Sequence, residues 1–203
     1  MQQNKKFYTF FALLALAVFF VFLLLFVFRI PNKKELAQQD LKKLDFIFLP
    51  DPKPKVENTP FQGLDGKIYF LASPEKRLGQ MQNWKLVNLW ASWCTPCVEE
   101  LPSLGQFSKS IQKDILVVAI NVGEKKEGVV DFLIQHPLGL DVWLDAKSSS
   151  EKWLNLLQNK NLAPGLPQTY LLDQEGYIHA VLFGKMNWQD AKVIKAFIDY
   201  TRS

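Results

Sequence analysis

The first apolar stretch, Phe7 to Phe28, carries no charge and shows no polar face. At about 1.5 Å per residue, some 22 residues make a helix long enough to cross a hydrocarbon core of about 30 Å. The pattern therefore predicts a short cytoplasmic tail at 1–6 and a transmembrane signal anchor at 7–28. A cleaved signal peptide is the competing reading, since Lys5 and Lys6 form a basic n-region and Ala15-Leu16-Ala17 has the small-x-small form. The alanines lie in the middle of the apolar run, however, and cleavage there would leave Val18 to Phe28 exposed, so the uncleaved anchor is preferred. Charge does not decide the orientation, because Lys5 and Lys6 on one side face Arg29, Lys33 and Lys34 on the other. From Arg29 to Pro60 the pattern breaks. Asn32 is placed to cap a short helix through Leu44, with Leu36, Ala37, Leu41 and Leu44 on one face. Pro50, Pro52, Pro54 and Pro60 then prevent regular structure, and 29–60 reads as a stalk or linker. The apolar patch Phe46 to Leu49 inside it has either the domain or the membrane interface to pack on.

Residues 61–203 carry the alternations of one folded domain. Asp65-Gly66 suits a type I′ hairpin turn, and Ser73-Pro74-Glu75 suits the cap and first turn of a short helix. Leu86 to Trp90 is an apolar strand, and Val98 to Ile111 is a helix with Pro102 as an interior kink. Ile115 to Val122 is a continuous β-branched run, the sign of a buried parallel strand, so the three form a βαβ unit. Lys125 to Gln135 is a second helix with Val129, Phe132 and Leu133 inward. Val142 to Leu144 is a short strand, and Ser150 is placed to cap a helix through Leu157. Strands at Tyr170 to Leu172 and Tyr177 to Phe183 flank the turn Gln174-Glu175-Gly176. A last helix, Asn187 to Tyr200, keeps Trp188, Ala191, Ile194 and Ile198 on its apolar face. The class is α/β, a mixed central sheet flanked by helices.

Composition changes this picture little. The 48% apolar content is raised by the first thirty residues, and the remaining stretch of about 175 residues is enough for one well-cored domain. A net charge of +4, spread without an Arg-rich stripe, argues against a nucleic-acid partner and allows weak attraction to an anionic membrane surface.

The candidate chemistry lies in Trp93-Cys94-Thr95-Pro96-Cys97, which holds both cysteines of the chain. The pair follows a strand and opens a helix. At a helix N-terminus the unpaired amides and the dipole favour a thiolate and can lower a cysteine pKa to about 3.5–7.5, so Cys94 is the candidate nucleophile. Cys97, one turn on, is the candidate resolving thiol. A structural zinc site would need about four ligands, and His136 and His179 are isolated, so no metal is expected. A purely structural disulfide closes too small a loop to stabilise much. The second feature is Gly165-Leu166-Pro167-Gln168-Thr169, just before a strand. Pro167 there suits an edge or a special turn, and locally an ordinary trans loop proline is the simpler reading.

The order of strand, Trp-Cys-x-Pro-Cys, helix with interior proline, βαβ, Leu-Pro before a hairpin, glycine and final helix resembles the thioredoxin fold. More narrowly, Val87-Asn88-Leu89-Trp90-Ala91-Ser92-Trp93-Cys94-Thr95-Pro96-Cys97-Val98-Glu99-Glu100-Leu101-Pro102-Ser103-Leu104 resembles the membrane-anchored TlpA/ResA/DsbE (CcmG) group, over roughly residues 60–200. The resemblance implies a three-layer thioredoxin-like domain and a cis bond at Pro167. It implies that the Leu166 backbone lies beside Cys94 to pair with an incoming polypeptide. It also implies an extracytoplasmic domain kept reduced by a membrane thiol transporter. In cytosolic thioredoxins a buried Asp, at the position of Asn88, serves as proton acceptor for the second cysteine, and an Asn cannot. The resemblance points instead to Glu100, on the helical face of Cys97, where a partly buried carboxylate could exchange protons with the thiol. The bland alternative is a solvated glutamate, as expected for Glu99. Trp93 is read as a shield and contact surface for Cys94, or as simple packing.

The expected function is thus an anchored thiol:disulfide oxidoreductase, single-pass in the inner membrane with its domain on the periplasmic side. It would reduce disulfides in extracytoplasmic proteins, apocytochrome c among them, with no cofactor beyond the Cys94–Cys97 disulfide. A general disulfide oxidant or isomerase and a non-catalytic metal-delivery or docking module are the alternatives.

Overall fold

The computed structural model describes residues 13–22, 31–56, 60–73, 75–77, 80–145 and 165–203. In chain order the elements are α1 (Lys33–Lys43), β1 (Ile47–Phe48), β2 (Pro60–Gly63), β3 (Ile68–Phe70), β4 (Glu75–Arg77), β5 (Gln80–Gln82), β6 (Trp84–Trp90), α2 (Thr95–Ile111), β7 (Leu116–Val122), α3 (Lys126–Gln135), β8 (Asp141–Asp145), β9 (Gln168–Asp173), β10 (Ile178–Phe183) and α4 (Ala191–Thr201). Eight strands form one sheet in the order β1-β10-β9-β6-β7-β8-β2-β3, and β4 and β5 pair as a separate hairpin. β6, β7 and β8 run parallel and the other pairs antiparallel. This is a thioredoxin-like α/β fold.

The continuous apolar runs of the central strands follow from burial on both faces. Leu86 and Trp90 of β6 point into one core cluster and Val87 and Leu89 into the other, all fully buried. Among the described residues, the helices pack on the first face through Leu41, Leu104, Phe107, Val129 and Phe197. On the second face Phe61 of β2 and Trp143 of β8 join Val87 and Leu89 in one cluster, which Leu49, Val56 and Leu71 from outside the strands complete. Gly105 in α2 lets the helix sit against the chain at Leu138, whose carbonyl oxygen would lie 2.0 Å from an added Cβ.

Within the segment read as a stalk, the described residues 31–56 pack on this domain. Asn32 caps α1 through a reciprocal pair of bonds with Glu35, and Ala37 and Leu41 are buried in the helix-covered core. Phe46 packs edge-on against Phe197 at 5.2 Å, and β1 pairs with β10 at Ile47↔Val181. Of the prolines that argue for a spacer, Pro54 lies beside β10 at the sheet edge and Pro60 is the first residue of β2, two places where a missing N–H costs little. Pro54 still accepts from Ile178 N at 2.8 Å, and Val56 N donates to Gly176 O at 2.9 Å. The apolar stripe of α1 and the patch at 46–49 outweigh the prolines.

Other elements also differ from the pattern. Gly66 has positive φ while Asp65 does not, so the hairpin turn is not type I′, which needs both. Glu75 opens a strand paired with β5 rather than a helix. α4 starts at Ala191 with Asp190 as its cap, leaving Trp188 in the loop before it. The predicted helix at 150–157 lies outside the described residues. Of the expected anchor, residues 13–22 are helical with exposed side chains. Among the described residues no helix is long and apolar enough to cross a membrane.

Candidate active site

β6 ends at Trp90 and delivers Cys94 as the N-cap of α2. Cys94 and Cys97 form a disulfide, and Cys94 Sγ also accepts the backbone N–H of Cys97 at 3.3 Å. A sulfur so placed receives the helix's unpaired amides and the positive end of its dipole. Cys97 is fully buried and Cys94 is 5% exposed, whereas Trp93 beside them is 71% exposed. The Trp93 indole is thus open to solvent and outside the core.

Glu100, one turn beyond Cys97, is 2% exposed. Its Oε1 accepts from Asn88 Nδ2 of β6 at 2.8 Å, and its Oε2 accepts from Met186 N at 2.9 Å and Trp188 Nε1 at 3.1 Å. Burial raises its pKa above the ordinary carboxylate value, while the Met186 N–H, the Asn88 amide, the Trp188 indole and the charge of Lys185 work the other way. A cleft of about 310 Å³ beside it is lined by Glu99, Glu100, Ser103, Lys185, Met186 and Asn187. Glu99, on the outer side of the turn, is exposed and pairs with Lys185.

The Leu166–Pro167 peptide is cis. β9 pairs with β6 at Thr169↔Asn88 and Gln168↔Leu89, which brings Pro167 level with the end of the strand that carries the cysteines. Leu166 packs against the core cluster containing Cys94 and Cys97. Gln168 fixes this loop: its Nε2 donates to Gly165 O at 2.7 Å and its Oε1 accepts the Tyr170 hydroxyl.

Three supports were not found from the sequence. Glu124, after β7, accepts the Ser92 N–H at 2.7 Å, the Ser92 hydroxyl, and Asn121 Nδ2 at 2.6 Å. The signal was present in outline, since adjacent parallel strands place the loops after β6 and β7 side by side. The sequence pattern places Trp188 on an apolar face with no sign of its indole donor, and nothing local marks Thr169, which accepts from Asn88 Nδ2 at 3.0 Å. The histidines lie elsewhere: His136 stacks on Phe132, and His179 pairs with Asp173 Oδ2 at 2.8 Å.

Residues 65–181, more than half of the chain, match the AhpC/TSA family. The thiol-disulfide oxidoreductase ResA of Geobacillus thermodenitrificans is 30% identical over 52% of this chain and 58% of its own length. The chain thus matches little more than half of that relative. The probable thiol:disulfide interchange protein DsbE-2 of Pasteurella multocida is 30% identical over 75% of this chain and 74% of its own length. Among solved structures, StoA from Bacillus subtilis superposes with a TM-score of 0.51, covering 69% of this chain and 98% of its own at 22% identity. That last likeness is one of fold.

Proposed function

The chain belongs to the AhpC/TSA family, and from that membership we propose that it is a thiol–disulfide oxidoreductase that reduces disulfides in extracytoplasmic proteins. The observation that carries the reading is Cys94 Sγ at the cap of α2, bonded to Cys97 Sγ and accepting its N–H. In the reduced protein the Cys94 thiolate attacks a client disulfide. One client sulfur becomes bonded to Cys94, and the other leaves as a thiolate and takes a proton. The Cys97 thiol then passes its proton to the Glu100 carboxylate. Its sulfur attacks Cys94 Sγ, which forms the intramolecular disulfide and releases the second client sulfur as a thiolate that takes up a proton from solvent. Two electrons have moved from the pair to the client, and a membrane thiol transporter returns them.

Exposed Trp93 and the Leu166–Pro167 edge supply the surface on which a client polypeptide docks. Anchoring through 7–28 in the inner membrane, a periplasmic domain and apocytochrome c as client belong to the same proposal. The uncharged apolar run supports the anchor, and the resemblance of residues 87–104 to the TlpA/ResA/DsbE group supports the rest.

The test is a Cys97→Ser chain expressed in cells. It is expected to accumulate mixed disulfides through Cys94 that vanish in the Cys94→Ser, Cys97→Ser double variant. Recovery of no adduct would overturn the assigned roles. Trapping the wild-type pair in living cells fixes the direction: a mostly reduced pair supports the reductase, and a mostly oxidised pair replaces it with an oxidant or isomerase.

A further inference from the structure

The Glu100 carboxylate is met by donors from two sides, Asn88 Nδ2 on Oε1 and the Met186 and Trp188 N–H groups on Oε2. An ionised carboxylate accepts all three with no hydrogen of its own left to place, so the arrangement suits the charged form. A protonated Glu100 has an O–H to place, and neither a backbone N–H nor an indole N–H can accept it. Of its three hydrogen-bond partners, the one that carries an acceptor is Asn88. That side chain is fully buried, its Nδ2 bridges Glu100 Oε1 and Thr169 Oγ1, and its Oδ1 has no hydrogen-bond partner. Amide oxygen and nitrogen are nearly equal in size, so a half-turn of the planar group exchanges them within the same space.

We propose that Asn88 is a positioning residue whose side-chain amide turns over with the protonation of Glu100. With Glu100 ionised, Nδ2 faces Glu100 and Thr169. With Glu100 protonated, Oδ1 faces them and accepts from both the Glu100 O–H and the Thr169 hydroxyl. Thr169 suits both states because a hydroxyl accepts in the first and donates in the second. The turned state leaves the Nδ2 hydrogens without these two partners, which makes it the higher state and drives the proton off again. A proton arriving from Cys97 is thereby accommodated, but not kept. Among the described residues, the charged or titratable groups around Glu100 are Cys97 and Glu99 on its own helix and Lys185 on the loop before α4, while β6 and β9 present the neutral Asn88 and Thr169.

The inference rests on the reading that Glu100 exchanges protons with Cys97. It is tested on the full chain in detergent micelles with the disulfide intact, so that no thiol titrates. The Glu100 carboxyl carbon and the contacts of the Asn88 amide protons with Glu100 Hγ and the Thr169 methyl are followed by NMR against pH. The expected result is loss of those contacts on acidification, with the midpoint of the Glu100 carbon, and no pH response of Asn88 in Glu100→Gln. If Glu100 titrates while the contacts persist, the proton sits on the cleft side. The turnover is then overturned, and the proton-exchange reading stands. If Glu100 does not titrate, both are overturned. An Asn88 response that persists in Glu100→Gln also overturns the turnover, because another group would then drive it.

Discussion

Glu124 grips Ser92 at two points, accepting its N–H at 2.7 Å on one carboxylate oxygen and its hydroxyl on the other. Ser92 is two residues before Cys94, and Glu124 is also held by Asn121 at the end of β7, so the loop carrying the nucleophile is tied to the neighbouring parallel strand. Replacement by alanine leaves a partly buried N–H and two side-chain groups without their acceptor. Hydrogen bonds to a charged group contribute about 1.5–3 kcal/mol each, and unsatisfied ones cost about as much. Glu124→Ala is expected to lower stability by about 2–3 kcal/mol in urea unfolding and to slow reaction of the reduced protein with a model disulfide. Glu124→Gln keeps one acceptor oxygen and should recover part of both losses. Wild-type unfolding and exchange rates in Glu124→Ala would show that the grip has no effect.

What the sequence made legible, and what it hid, divides along the range of the interactions. The βαβ unit, the cysteine pair and the helical face shared by Cys97 and Glu100 are local in the chain, and periodicity and motif spacing expose them. Met186 and Trp188 reach Glu100 from 86 and 88 residues away, and no local pattern announces an indole N–H aimed at a carboxylate. Asn88 was informative as the residue that replaces an acid, but its bond to Glu100 depends on α2 crossing β6. The stalk reading failed for a related reason. Prolines are excluded from the middle of an interior strand, yet they are compatible with the edge beside β10 and with the first residue of β2, and only the tertiary pairing decides.

That correction has its own test in Leu41. The side chain is fully buried between α1 and the core that includes α4. A buried leucine truncated to alanine costs about 2–5 kcal/mol, whereas a leucine on a solvated spacer costs almost nothing. Leu41→Ala is therefore expected to destabilise the whole domain in a single cooperative unfolding transition. An unchanged urea midpoint would return residues 33–43 to the role of a linker.

Burial of Glu100 has a consequence for stability against pH. Below its ordinary value of 4.5 the group is protonated in folded and unfolded chains alike and contributes no pH dependence. As pH rises past that value the unfolded chain ionises first, because the folded pKa is raised. Stability is then lost with rising pH from about 4.5 up to the folded pKa, and is level above it. Glu100→Gln cannot ionise and should lack this slope, so the difference between the two urea-unfolding profiles of the oxidised proteins isolates it. Trp188→Phe keeps an aromatic ring but removes a donor that favours the charged form, which extends the falling window to higher pH. Parallel profiles for wild type and Glu100→Gln would mean that Glu100 ionises as it does in water.

Asn88→Asp asks how the site handles a second carboxyl. The amide nitrogen it replaces lies 2.8 Å from Glu100 Oε1 and 3.0 Å from Thr169 Oγ1, so the new oxygen meets a carboxylate instead of donating to it. Two carboxyls at this separation in a buried site ionise in two steps belonging to the pair, with the second raised well above the usual range. One shared proton can satisfy both, as a hydrogen bond from one acid to the other carboxylate. The oxidised variant is expected to hold that proton to a higher pH than wild-type Glu100 does, and to lose stability as pH rises through the second step. Carboxyl-carbon NMR of the oxidised variant reads both groups directly. Independent titration of the introduced carboxyl and of Glu100, each near the value of a solvated acid, would show that the two do not meet.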